Sequence, residues 1–152
     1  MESSDRLLPQ TRRILGGAGW YSGRRVDTSR WSAELAADGY PPLHAAAVEF
    51  LAEFGGLSIP YGGSGISRAR EAIALVPTLC DGEADRFIEW GQDIGHDLAP
   101  IGELAGGTCS WTNLGIDERG EIYTVIDGLA TFGRMPDALD WLILGYMPRD
   151  LM

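Results

Sequence analysis

Apolar residues recur every three or four positions in five stretches of the chain, which is the spacing of an amphipathic helix. These stretches predict helices over residues 6–17, 27–38, 42–54, 81–95 and 136–144. In the third helix Pro42 takes the first position, so His44 falls inside the helix, and Gly55 and Gly56 end it in the left-handed conformation.

The fourth predicted helix has the clearest division between an apolar and an acidic face. Its inward face is expected to consist of Ala84, Phe87, Ile88 and Gly91. Acidic residues stand at its start, where the helix dipole favours anions, and continue along the outward face.

Shorter apolar runs bounded by turn residues predict strands over residues 57–61, 72–77, 98–104, 109–117, 121–127 and 129–132. A three-residue loop over residues 118–120 would join the fourth and fifth strands as a hairpin. That hairpin pairs Ile116 with Ile122, Gly115 with Tyr123, and Leu114 with Thr124.

Consecutive strands, with helices grouped before and after them, indicate an α+β fold whose mostly antiparallel sheet packs against helices. We expect a single domain over residues 1–152, in which residues 1–18 form an N-terminal helical arm. The 45% of hydrophobic residues are enough for a core that needs neither disulfides nor metal.

The charge of the chain is unevenly distributed. The formal net charge is −10, every basic residue is an arginine, and six of the 12 arginines stand among residues 1–30. An acidic surface repels phosphate backbones and attracts cationic proteins. Composition therefore argues against direct nucleic-acid binding and favours a partner protein with a basic surface, with solubility alone as the competing explanation.

The start of the sequence, MESSDRLLPQ, lacks the basic and then apolar plan of a signal peptide, and no apolar run reaches the length of a bilayer. We therefore expect a cytoplasmic protein without membrane contact. Cys80 and Cys109 fit neither a metal-binding spacing nor a disulfide framework.

The sequence contains histidine, serine and aspartate residues of the types used in catalysis, but they do not form a recognisable catalytic motif. His44 and His96 are far apart in sequence and have no metal-ligating neighbour three or four residues away. Ser64 lies in YGGSG, which lacks the second glycine of a nucleophile elbow. We predict no catalytic, cofactor or metal site. A small hydrolase built on Ser64 and His96, with Asp93 or Asp97, is the weaker alternative.

The sequence favours a binding surface instead. Glu83, Glu89 and Asp93 lie on the acidic side of the fourth predicted helix, where they can meet a basic partner. Tyr61, in the glycine loop, and Trp111, on a strand beside polar residues, are the aromatic residues expected to be exposed. Exposed aromatic residues are common anchors of protein interfaces.

Several ordered segments resemble the SUKH superfamily, and its third subfamily most closely. They are GWYSGRRV at 19–26, FLAEFGGLSI at 50–59, DRFIEWG at 85–91, PIGEL at 100–104, GIDERGEIY at 115–123 and PDALDWLILG at 136–145. By this resemblance the fold is a mostly antiparallel sheet against helices. The motif residues it marks as structural are Trp20, Phe54, Gly55, Gly56, Leu57, Gly102, Asp117, Gly120 and Gly133.

The same resemblance implies an immunity protein of a bacterial polymorphic toxin system. Such a protein binds a cognate toxin domain, often a nuclease or a nucleic-acid deaminase, and neutralises it stoichiometrically without catalysis. A regulatory protein-binding module of the same fold, without a toxin partner, is the alternative function.

Overall fold

One antiparallel sheet of seven strands organises the protein, and its strands follow one another in sequence order. The structure is a computed structural model that describes residues 6–105, 111–125 and 128–151, without the side chain of Trp111. The strands are β1 (Ser58–Ile59), β2 (Ile73–Ala74), β3 (Ala99–Ala105), β4 (Trp111–Ile116), β5 (Glu121–Val125), β6 (Leu129–Arg134) and β7 (Arg149–Asp150).

Helices cover both faces of this sheet. They are α1 (Pro9–Gly17), α2 (Ser29–Ala37), α3 (Ala45–Phe54), α4 (Ala84–Ile94) and α5 (Asp137–Leu144), with a short 3-10 helix over Pro77–Cys80. The predicted α+β class with an antiparallel sheet is confirmed. In the described ranges, none of these helices has both the length and the apolar character of a membrane-spanning segment.

The hairpin of β4 and β5 has the predicted register. Leu114 pairs with Thr124, Gly115 with Tyr123, and Ile116 with Ile122. Because successive strand residues point to opposite faces, this register divides the core in two. We call the face that carries Ile122 the first face and the face that carries Tyr123 the second face.

A large apolar cluster lies on the first face, where α1, α3 and α5 pack against the strands. A smaller cluster lies on the second face, where Phe87 of α4 contacts Tyr40 and Trp90 edge to face. Helix α2 contributes to both, since Leu35 belongs to the smaller cluster and Trp31 packs against the larger one. Each face of the sheet therefore has its own apolar contact with helices.

Glycines mark the places where backbones approach most closely. A Cβ atom on Gly55 would lie 2.4 Å from the carbonyl oxygen of Leu51 and 2.6 Å from the ring of Trp31. Gly56 has φ of +86°, so the predicted left-handed residue is Gly56, while Gly55 is extended. Glycine adopts this left-handed conformation without the steric cost of a Cβ. The pair of glycines thus turns the chain and makes room for the indole of Trp31.

Several helices and strands differ from prediction: α1 and α4 begin three residues later than predicted, and β1 and β2 are each only two residues long. Helix α3 begins at Ala45 and not at Pro42, because the imidazole Nδ1 of His44 accepts a hydrogen bond from the amide of Ala47 and caps the helix. Ile88 is 39% exposed, because α4 turns Ala84, Phe87 and Gly91 to the sheet. The 3-10 helix and β7 have no counterpart among the predicted elements.

Replacing Gly102 in β3 by alanine tests the closest backbone contact in the sheet. Gly102 has φ of +154°, and a Cβ there would lie 2.1 Å from the carbonyl oxygen of Ala74. We expect Gly102→Ala to lower the free energy of unfolding by about 1 to 3 kcal/mol through strain and overpacking.

Chemical denaturation measures this change. Gly16→Ala is the matched control, because nothing lies within 4 Å of a Cβ at Gly16 in α1. That variant should be neutral or slightly stabilising. Equal stability of Gly102→Ala and the wild type would contradict the packing described for β3.

Candidate partner-binding site

Helix α4 lies close to the sheet because two glycines remove side chains from the contact. A Cβ on Gly115 of β4 would lie 2.9 Å from Leu98 Cδ1 and 3.1 Å from Phe87 Cε2. A Cβ on Gly91 would lie 2.7 Å from the carbonyl oxygen of His96. The helix ends at Gly95, whose φ of +73° turns the chain back into β3. The contact at Gly115 sets how closely α4 lies on the second face, and the contact at Gly91 lets the following connection fold back against the helix.

The outward side of α4 carries an acidic stripe, which we define as Asp85, Glu89 and Asp93. The three residues are spaced by four positions, which places them one above the other on a helix. All three are exposed, and none makes an ion pair with another described residue. Among the described residues, the stripe is therefore a row of negative charges without ion-pair partners.

A cleft lies beside this stripe, between α4 and the β4–β5 turn. Its volume is about 520 Å³. Its floor is formed by the buried Phe87, Gly91 and Leu98, and its walls carry the more exposed residues Pro41, Ile88, Gln92, Gly95, His96, Asp97 and Glu118. We call this the α4 cleft. A smaller depression of about 330 Å³ shares Ile88 and Gln92 with it and reaches Asp85 and Glu89.

Glu118 is the most firmly held carboxylate at the α4 cleft. Its Oε2 lies 2.5 Å from His96 Nδ1, and its Oε1 accepts a hydrogen bond of 2.8 Å from the amide of Asp97. Desolvation works against ionisation of Glu118, but the hydrogen bonds from His96 and Asp97 outweigh it and lower its pKa to about 2. The carboxylate therefore joins the end of α4 to the β4–β5 turn.

Asp117, next to Glu118, organises the turn from inside. It is fully buried, and its carboxylate accepts hydrogen bonds from the amides of Arg119 and Glu121 and from the hydroxyl of Tyr123. Burial alone would raise the pKa of Asp117, but the hydrogen bonds from Arg119 and its neighbours lower it. A buried carboxylate with this many donors fixes the shape of the turn that presents Glu118.

The loop that contains Tyr61 lies on the opposite side of the sheet from α4. The amide of Gly62 donates to the carbonyl of Arg70, and the amide of Ile66 donates to the carbonyl of Leu144 at the end of α5. Because α5 belongs to the first face, Tyr61 and the acidic stripe are on different sides of the sheet. Tyr61 itself is 63% exposed.

The structure places the five predicted partner residues in different locations. Glu89 and Asp93 belong to the acidic stripe. Glu83 is half-buried at the N-cap of α4 and lies 3.3 Å from the guanidinium of Arg86. Tyr61 lies beyond the sheet, and Trp111 begins β4 with a side chain outside the described part of the chain.

Sequence reasoning missed the residues that complete the site. Asp85 carries a readable signal, because it precedes Glu89 by one helical turn. The contact of Glu118 with His96 has no such signal, since 22 positions separate the two residues and only the fold joins them.

The described residues offer little for catalysis. Ser64 forms an isolated bridge with Ala69 in the Tyr61 loop, whereas His96 is bound to Glu118 on the other side of the sheet. Cys80 is buried, and its burial raises the pKa of the thiol to about 12, so the nucleophilic thiolate is not available at neutral pH. Cys109 lies outside the described residues. Within residues 6–105, 111–125 and 128–151, no three His, Cys, Asp or Glu side chains are grouped as a metal site would require.

A family model described as SUKH-3 immunity protein matches residues 8–145 of the chain. The chain belongs to the SUKH-3 immunity protein family. Membership supports an immunity function and implies a toxin partner. No curated protein and no solved structure matches the chain.

Several residues singled out by the SUKH resemblance have structural contacts. Trp20 is buried, stacks on Phe54 with ring centroids 6.4 Å apart, and donates its indole N–H to Glu53. Asp117 holds the β4–β5 turn, and Gly102 lies at the close contact with Ala74. Trp20, Asp117 and Gly102 thus stabilise the scaffold.

Replacing Glu118 by glutamine tests how firmly the β4–β5 turn is tied to α4. The pKa of Glu118 falls from its ordinary value of 4.5 to about 2 in the folded protein. Its contribution to stability is therefore fully present above the ordinary pKa and is lost as pH falls through the folded pKa. Since Glu118 is 41% exposed, we expect Glu118→Gln to cost only about 0.2 to 1 kcal/mol near neutral pH.

Urea unfolding near neutral pH and near pH 2 measures this difference. The gap between wild type and Glu118→Gln should narrow at the lower pH, because the Glu118 carboxyl is then about half protonated in the folded protein and almost fully protonated in the unfolded chain. Glu49→Gln is the control, because Glu49 is exposed on α3 and has no described hydrogen bond or ion pair. A gap that is independent of pH would contradict the role given to the carboxylate.

Proposed function

We propose that this SUKH-3 protein binds one cognate toxin domain and neutralises it stoichiometrically in the cytoplasm. It acts by binding and not by catalysis. Family membership supports the immunity function. Ser64 and His96, on which the alternative hydrolase would depend, lie on opposite sides of the sheet.

We choose α4 as the binding surface because of its acidic stripe. Asp85, Glu89 and Asp93 are exposed along one side of a helix that is anchored through its opposite side. The helix fixes the backbone of all three residues, so partner binding has to order only their side chains. This geometry suits a partner that presents fixed positive charge.

A toxin domain that acts on nucleic acid supplies such charge. Nucleic-acid enzymes bind phosphate backbones with lysine and arginine side chains, so their substrate grooves are basic. A protein with a net charge of −10 is attracted to that groove over several ångströms, and the attraction raises the association rate. We therefore propose a nuclease or a nucleic-acid deaminase as the toxin class, with its basic surface against α4.

Tyr61 and Trp111 stay predictions for partner contact. Tyr61 is exposed together with Ile66 and Met147, and the amide of Met147 donates to the hydroxyl of Ser67 in the same loop. This apolar group lies on the side of the sheet away from α4. A single toxin domain could contact both this apolar group and the acidic stripe only by extending around an edge of the sheet.

Co-purification with the products of neighbouring genes, followed by titration of any toxin domain that binds, tests the proposed function. We expect the two proteins to co-purify, and toxin activity to fall to zero near one equivalent of the immunity protein. Substoichiometric inhibition would indicate catalysis instead. The absence of any complex with a neighbouring gene product would favour the regulatory binding module.

Reversing two charges of the acidic stripe tests the surface. We expect Glu89→Arg with Asp93→Arg to slow association with the toxin domain by about 10-fold at low salt, because the local field at α4 changes sign. The difference should shrink as salt screens the charges. Stopped-flow association measured over a range of ionic strength gives both quantities.

The control carries the same change of net charge at another place. Glu49→Arg with Asp150→Arg reverses two exposed charges, on α3 and β7. This control should associate at nearly the wild-type rate. Equal association rates for the two double variants at low salt would show that the toxin does not approach α4.

A further inference from the structure

We propose that the α4 cleft receives one arginine side chain of the bound toxin domain. This inference rests on the proposed function and adds to it the chemical group that enters the cleft. The acidic stripe attracts a basic surface in general, whereas the cleft beside it combines apolar surface with a carboxylate, Glu118, that two hydrogen bonds hold in place.

The apolar surface of the α4 cleft suits the aliphatic part of such a side chain. Phe87 and Leu98 form the floor, and Ile88 stands in the wall with 39% of its surface exposed. The cleft is wide and open to solvent, so a long side chain of a docked partner can lie along it. Arginine is weakly hydrated and carries a long apolar stem, so it can lie against this surface without losing its charge.

Charge around the α4 cleft is negative. Asp97 and Glu118 stand at the cleft itself, and Glu89 lies in the adjoining depression. The nearby cation Arg86 is already used, because it lies 3.3 Å from Glu83 and its guanidinium is 5.0 Å from the ring of Trp90. His96 is the basic residue of the cleft, and its Nδ1 faces Glu118.

Glu118 is prepared to accept a guanidinium. His96 and the amide of Asp97 each occupy one position on its two carboxylate oxygens, and a carboxylate has about four acceptor positions. The remaining positions permit the paired hydrogen bonds that arginine makes and that lysine, with its compact ammonium group, does not match. Because the carboxylate is already ordered, binding does not have to immobilise it.

A double-mutant cycle tests this proposal, with the toxin domain that co-purifies with this protein as the probe. Surface arginines of the toxin are replaced one at a time by alanine and by lysine, and each is measured against wild-type protein and against Glu118→Gln. We expect one toxin arginine whose replacement weakens binding by about 10-fold or more, with most of that loss absent in Glu118→Gln. Its lysine variant should recover only part of the affinity.

Two controls separate the α4 cleft from the general field. Glu49→Gln removes the same charge on the other side of the sheet and should show no coupling with that arginine. Ile88→Ser removes apolar surface without changing charge and should weaken binding of the same toxin arginine. A toxin that binds the wild-type protein but has no arginine coupled to Glu118 would overturn the proposal and leave the proposed function intact.

A measurement without the toxin keeps the two proposals distinguishable. Acetyl-arginine methylamide at tens of millimolar should shift the amide NMR signals of Gln92, His96 and Asp97, and Glu118→Gln should abolish the shifts. Acetyl-citrulline methylamide is the neutral control of the same shape. Equal shifts from the two compounds, or none from either, would overturn the assignment of a guanidinium to the cleft even if no toxin complex forms.

Discussion

The contact of α4 with bare backbone at Gly115 is the constraint on which the candidate site depends. A side chain at that position would meet both Phe87 and Leu98, so the glycine sets how closely the helix lies on the second face. Close packing of the inward side leaves Ile88 at the surface and holds the acidic stripe in one direction. The same contact positions the end of α4 near the β4–β5 turn, where His96 reaches Glu118. The geometry of the binding surface thus depends on Gly115, which has no side chain to keep the helix away from the sheet.

Local patterns predict those parts of the fold that depend on neighbours in sequence. The β4–β5 hairpin has a short loop and alternating residues, and these two constraints leave one register. The start of α3 depends on a distant partner as well. His44 caps the helix through Nδ1 while its Nε2 lies 3.1 Å from the carbonyl oxygen of Ile116, so its place is set in part by β4. A periodic pattern carries no information about such a contact.

The candidate site likewise contains residues that the sequence pattern predicts and residues that only the fold brings together. Glu89 and Asp93 can be predicted from the sequence because they are four residues apart, the spacing of one face of a helix. Asp85 is a further four residues before Glu89 and follows the same rule. The pattern assigns Ile88 to the core because its neighbours belong there, yet one residue of rotation about a helix is enough to turn a side chain from the sheet to the cleft. Glu118 belongs to the site only through tertiary structure, since the turn that carries it is held by the buried Asp117.

The acidic residues around the α4 cleft are of two kinds: Glu118 is held by hydrogen bonds, and the residues of the acidic stripe, within the described part of the chain, are not. This difference determines which of them can be replaced when the protein adapts to a new partner. Glu118 is held by His96 and Asp97, so replacing it alters the scaffold as well as the surface. Glu89 and Asp93 of the stripe have no described ion pair and lie beyond the first turn of α4, so replacing them changes the field around α4 with little cost to folding. Long-range attraction acts mainly on the rate of association, whereas a side chain seated in a cleft acts mainly on the rate of dissociation. A surface built in this way can adjust how fast it meets a basic partner without rebuilding the contact that retains it.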